Sequence, residues 1–201
     1  MYLENISLAQ EVKMEIKNLY KAFDDKIVFD NFSATIPEGK RTFIIGGSGS
    51  GKTTLLRILA GLDKEYTGDI VSTGNNYSIV FQEPRLFPYL SVKENIKIVR
   101  NDENPDKLSD ILEIVELNND AFLLPCELSG GMKMRASLAR ALYYDADTIF
   151  MDEPFSALDE ELKNRMIPKI FSKLKDKTVV IISHDLNDVD LYADYIIDLN
   201  K

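Results

Sequence analysis

Two hydrophobic periodicities divide the chain. From Met14 to Pro37 apolar and polar residues roughly alternate: "MEIKNLYKAF", a turn at "DD", then "KIVFDNFSATI", closed by "PEG". Alternation with turn residues between the runs predicts a small antiparallel sheet with one buried face. The first dozen residues are polar and predict only an extension before it. The pattern then changes to short continuous apolar runs, "RTFIIG", "YSIVF", "DTIFMD", "TVVIIS" and "YIIDL". Such runs predict strands buried on both faces of a parallel sheet. Helical patterns separate several of them: "KTTLLRILAGL", "ELKNRMIPKIFSKLK" and a short helix from Leu186. Between Gln82 and Ala141 the strand signal stops, and "SVKENIKIV", "PDKLSDILEIVEL" and "SGGMKMRASLARAL" all read as helical. The expectation is one domain over residues 1–201. An α/β core would be built from 14–81 and 142–201, and interrupted by a helical subdomain at 82–141.

Composition narrows the function classes. The net charge is −9, so a nucleic-acid backbone or an anionic lipid surface would repel the chain. No apolar run reaches the ~20 residues of a membrane helix, and the N-terminus lacks the basic and apolar segments of a signal peptide. These point to a cytoplasmic protein without direct membrane insertion. A single cysteine, Cys126, allows no internal disulfide and reads as a structural or surface thiol. The runs "ENPDKLSDILEIVEL" and "DEELKNRM" read as solvated acidic helix faces.

The candidate chemistry sits where the apolar runs end. "GGSGSGKT" at Gly46–Thr53 follows a strand and opens a helix. Gly46, Gly47, Ser48, Gly49, Ser50 and Gly51 let the backbone wrap phosphates. Lys52 reaches the β- and γ-phosphates, Thr53 offers a hydroxyl to Mg²⁺, and Thr54 completes the loop. Asp152 and Glu153 end another strand, where ligands of such sheets gather. Asp152 suits a Mg²⁺ ligand, and Glu153 suits a general base acting on water. His184, the only histidine, ends a third strand. Gln82 ends a fourth, at the start of the helical insert, within reach of a metal and a water. Phe23 offers a π surface on which adenine can stack, or alternatively a core side chain. A second phosphate-binding turn opens the helix at Ser129, Gly130 and Gly131, an arrangement one small domain does not need for itself.

In order, these segments resemble the ATP-binding subunit of an ABC transporter over nearly the whole chain. "GGSGSGKTT" resembles the Walker A loop and "FQEPRLFP" the segment around the Q-loop glutamine. "LSGGM" resembles the family signature, "IFMDEP" Walker B, "SALD" the D-loop ending at Asp159, and "SHD" the switch histidine. The resemblance implies a P-loop NTPase (RecA-like) core and an ATP- and Mg²⁺-dependent ATPase. It also implies a head-to-tail homodimer, in which Ser129, Gly130 and Gly131 of one copy meet ATP on the other and Asp159 communicates across the pair. Partners would be a transmembrane permease and, in the same system, a solute-binding protein; the chain would lie peripherally on the inner membrane face. "LSGGM" with "FQEPRL" resembles the branch importing nitrate, sulfonate or taurine. Met132 departs from the usual glutamine of the signature. The sequence ends on "YIIDLNK", so no regulatory extension is expected. The rival class is an ABC-type ATPase associated with nucleic acid or chromosomes. The interval from Lys52 to Ser129 has no room for the coiled coil such proteins carry.

Overall fold

The computed structural model describes residues 12–24, 26–100 and 105–200. Residues 1–11, expected as an extension, lie outside these, as does Asp25 of the "DD" turn. The predicted alternation forms β1 (Val12–Phe23) and β2 (Lys26–Pro37), paired antiparallel. The parallel runs form β3 (Arg41–Ile45), β5 (Tyr77–Val80), β6 (Thr148–Asp152), β7 (Thr178–Ile182) and β8 (Tyr195–Asp198), in the order β5-β6-β7-β3-β8. One strand was not legible in the sequence: β4 (Thr67–Ser72) pairs with the other edge of β1 and completes a β2-β1-β4 sheet. It is exposed along most of its length, so it carries little apolar periodicity and is defined by its partner.

Successive residues of the parallel strands point to opposite faces, and both faces are covered. Phe43, Ile149, Met151, Val179 and Ile181 join one apolar cluster with the helices of the 92–144 region. Ile44, Phe150, Val180 and Ile182 join a second cluster with α1 (Lys52–Leu59) and the antiparallel sheet. This explains why these strands read as unbroken apolar runs. On the first side lie α2 (Val92–Lys97), α3 (Pro105–Ile114) and α4 (Gly130–Tyr144). The same cluster includes α5 (Glu160–Lys173) and α6 (Leu186–Tyr192).

In the run "DEELKNRM" the acidic residues Asp159, Glu160 and Glu161 are exposed, as a solvated acidic face requires, and the opposite side is buried. Lys163 and Met166 within it are buried, because α5 packs that side against the sheet and the loop after β7. Among the described residues no helix is long and apolar enough to cross a membrane.

Candidate functional site

Strands β3, β6 and β7 are neighbours in the sheet, so the loops leaving their carboxyl ends converge. The loop after β3 wraps into α1 through Gly51, whose φ is 97°. A Cβ there would lie 2.5 Å from Val28 Cγ1 and 2.9 Å from Phe29 Cζ, so only glycine fits. Helices α2, α4, α5 and α6 each start on a side-chain cap, from Ser91, Ser129, Asp159 and Asp185. Among the described residues no side chain caps α1. Its first N–H groups therefore have no side-chain cap, which suits this helix start to an anion. Lys52 is buried, and its Nζ donates to the carbonyls of Gly46 at 2.7 Å and Gly47 at 2.9 Å. The ammonium is therefore already held inside the loop.

Thr53 Oγ1 donates to Asp152 Oδ2 at 3.0 Å. Asp152 is 4% exposed, and among the described residues its Oδ1 is buried with no hydrogen-bond partner. Burial pushes this carboxyl above its ordinary value; the Thr53 hydrogen bond opposes that shift and the neighbouring Glu153 charge adds to it. An orphaned carboxylate oxygen beside a threonine hydroxyl is a donor set that fits a hard divalent cation.

Glu153 follows at φ 51°. Of the seven non-glycine residues with positive φ among those described, five are Asn or Asp, which tolerate that region; Glu153 and Glu116 do not share that excuse. The unusual turn brings the carboxylate back over the sheet edge. His184 Nε2 stands 2.6 Å from its Oε1, and Gln82 Nε2 donates to its Oε2 at 3.4 Å. Sequence reading placed Gln82 near a metal and a water; here its amide is seated on Glu153.

A cleft of about 520 Å³ joins these groups. It is lined by Phe23, Lys26, Val28, Lys52, Thr53, Gln82, Glu153 and His184, with Ser48, Gly49, Gly51 and Thr54 of the loop. Phe23 is half-exposed at the rim, with Lys21 Nζ 4.5 Å from its ring centroid. Lys21 is itself buried against Asp63 and the Glu65 carbonyl, so it fixes the ring from the protein side.

The second phosphate turn lies outside this cleft lining. Ser129 Oγ accepts from the Met132 backbone N–H at 3.2 Å, which leaves the hydroxyl hydrogen free to be donated. The cap uses backbone, so the side chain at 132 does not enter it. A Cβ on Gly131 would stand 3.1 Å from the Ala157 carbonyl, so the turn packs closely on the segment leading to Asp159. Asp159 caps α5, accepting from Leu162 N–H at 2.8 Å.

Sequence reading missed Asn95. It is fully buried, donates to the carbonyls of Phe87, Leu90 and Ser91, and accepts from Phe87 N–H. It organises the loop that displays Phe87 at 50% and Tyr89 at 90% exposure. The signal was present: Val92, Asn95 and Ile96 share one helical face, and the polar residue there needs partners.

Comparison with known proteins shows the family and the fold. The family model described as ABC transporter matches residues 29–156. The chain is 37% identical to an aliphatic sulfonates import ATP-binding protein of Paracoccus denitrificans, across 90% of this chain and 77% of that protein. It is 34% identical to a spermidine/putrescine import ATP-binding protein of Thermotoga maritima, across 94% of this chain and 56% of the other. Among solved structures, a bacterial ABC transporter cassette in dimeric form superposes with a TM-score of 0.83 at 29% identity, covering 93% of this chain and 94% of that one. A dimeric post-hydrolysis structure of the same cassette, bound to ADP and Pi, gives 0.81 at 30% identity, with the same shares covered.

Proposed function

Because this chain belongs to the ABC transporter family, we propose that it is the ATP-hydrolysing subunit of an importer, working as a head-to-tail pair against a separate membrane permease. One observation carries the reading: a carboxylate gripped by His184 and Gln82 shares a cleft with Lys52 and Thr53, beside the buried Asp152.

Adenine stacks on Phe23, and the backbone of Gly46–Thr54 with the start of α1 cradles the phosphates. Lys52 exchanges its two loop carbonyls for phosphate oxygens. Thr53, Gln82 and Asp152 would hold Mg²⁺, which supplies charge neutralisation on the β- and γ-phosphates. Glu153 accepts a proton from water as its oxygen attacks the γ-phosphorus. The bond from that phosphorus to the bridging oxygen breaks, giving ADP and phosphate. His184 fixes the carboxylate and faces the γ-phosphate. Ser129, Gly130 and Gly131 of a second copy close the site, with Asp159 linking the two copies. ATP then forms part of the interface, so binding closes the pair and hydrolysis loosens it.

Residues 82–141 act as a helical subdomain moved by nucleotide state through Gln82. Leu86, Phe87 and Tyr89 meet the permease, which holds the chain at the cytoplasmic face. A solute-binding protein completes the system. The sulfonate-importing relative supports a small organic anion, of the sulfonate, taurine or nitrate kind, as the solute.

The test is phosphate release by the purified chain with Mg-ATP, beside Glu153→Gln. Hydrolysis in the parent, with retained ATP binding and turnover cut by about 10²–10⁴-fold in the variant, is expected. Near-normal turnover in Glu153→Gln would remove Glu153 from this mechanism.

A further inference from the structure

Lys163 is a charged residue in a place the sequence pattern does not predict. It stands on α5 and is 7% exposed, yet it belongs to no part of the nucleotide cleft lining. Its Nζ meets three carboxylates: Asp185 at 2.5 Å, Glu160 at 3.3 Å and Asp188 at 3.5 Å. Glu160 is mostly in water, where its attraction is screened. Asp185 and Asp188 are the partners that matter, because Asp188 is buried and Asp185 is held on both oxygens. Asp185 Oδ1 accepts from Asn187 N–H at 3.0 Å and starts α6, while Oδ2 takes the lysine. Burial pushes the Asp188 carboxyl up and the Lys163 charge pulls it back, whereas the lysine hydrogen bond holds Asp185 low.

Asp185 is the residue after His184. Its N–H donates to Ser183 Oγ at 3.1 Å, so both chain neighbours of the histidine are tied. The imidazole itself is exposed by 53% and touches Glu153 through Nε2. Its placement therefore depends on where the backbone of Ser183–Asp185 is held. On the other side, Lys163 N–H donates to the Asp159 carbonyl, so the lysine sits one turn into the helix that Asp159 caps. A cavity of about 290 Å³ lies among Glu153, Ser156, Lys163, His184, Asp185 and Asp188, which gives the loop space to shift.

We propose that Lys163 is a positioning residue: it pins the Ser183–Asp185 loop to α5 through Asp185 and so sets His184 on Glu153. Without the ammonium, Asp185 and Asp188 face each other in a partly buried site with no buried counter-charge between them. The repulsion is relieved by moving the loop, which carries the histidine away. The consequence for turnover rests on the catalytic reading of Glu153 and His184 given above.

His184 is the only histidine, so the imidazole nitrogen spectrum of the full chain, labelled at histidine, reports this one residue. Lys163→Met, Lys163→Gln and Lys163→Arg are compared with the parent, and Glu153→Ala marks the signal of an imidazole that has lost its carboxylate. In Lys163→Met the Nε2 resonance is expected to move toward the Glu153→Ala position. The arginine variant should stay close to the parent. With Mg-ATP, kcat should fall tenfold or more in the methionine variant while KM stays within twofold, and arginine should restore most of it. Thermal unfolding checks that each variant folds; should methionine not be accommodated, the glutamine variant takes its place in the same spectrum. An unmoved imidazole in the neutral variant overturns the proposal. So does equal loss in the arginine variant, which would mark a merely structural lysine. A parent chain that does not hydrolyse ATP overturns the functional reading instead, because the imidazole spectrum does not depend on turnover.

Discussion

At the scale of single residues, the site stores unfavourable energy in two places: the positive φ of Glu153 and the burial of Asp152. The sign for Asp152 can be worked out. Its pKa in the folded chain is raised, so the fold favours the protonated form. Stability is lost as pH rises from the unfolded carboxylate value through the folded one, and the penalty is fully present above the folded value. Asp152→Asn should therefore raise the melting temperature at pH 7, by about 2–4 °C for each kcal/mol recovered. The gain should shrink toward zero in acid below both values, while Mg²⁺-dependent ATP binding is lost. A melt series against pH checks it, and a lower melting temperature at pH 7 would contradict the burial argument. Gly51→Ala should cost about 1–3 kcal/mol, since φ 97° and the contact with Val28 both oppose a side chain. Chemical denaturation reads the loss, and nucleotide binding should fall with it. The candidate catalytic residue types and the glycine loop were legible in the sequence because each follows a strand whose end is visible as an apolar run. The conformation of Glu153 was not legible: nothing in "MDEP" distinguishes a left-handed glutamate from an ordinary acidic turn.

At the scale of elements, caps and buried polar groups decide more than propensity. Ser129→Ala removes the cap of α4 and should cost about 1 kcal/mol. It should also weaken any ATP-dependent association, because the same hydroxyl has a hydrogen left to give. An association unchanged by this substitution would take Ser129 out of the proposed interface. Asn95→Ala leaves the Phe87 N–H without its acceptor in a partly buried setting and should cost about 1–3 kcal/mol. Hydrogen exchange should show the loop at 87–91 opening first, well before the parallel sheet. Strands β3, β5, β6, β7 and β8 were readable because each is buried on one or both faces. Strand β4 was not, since its order comes from hydrogen bonds to β1 and little from its own side chains. In "DEELKNRM" the acidic residues are exposed as their charge suggests, while Lys163 on the opposite side is accommodated inside by Asp185, the cap of α6, and by Asp188.

At the scale of the whole molecule, the cleft built by β3, β6 and β7 is half of the proposed site. The turn at Ser129–Gly131 lies outside it, which is what a head-to-tail pair requires. Light scattering on Glu153→Gln should show a doubling of mass with Mg-ATP and none without nucleotide. A variant that binds ATP yet keeps one mass at all protein concentrations would count against pairing through the signature. The sequence by itself determined the sheet class, the order of the phosphate loop and acidic strand end, and the presence of a second phosphate turn. Those features are written in local periodicity and in residue types with fixed chemistry. Only the tertiary structure decided that Gln82 and His184 close on one carboxylate, that Asp152 keeps an oxygen in reserve, and that Lys163 is buried. These depend on which strand ends become neighbours in the sheet, a consequence of long-range pairing that no window of sequence contains.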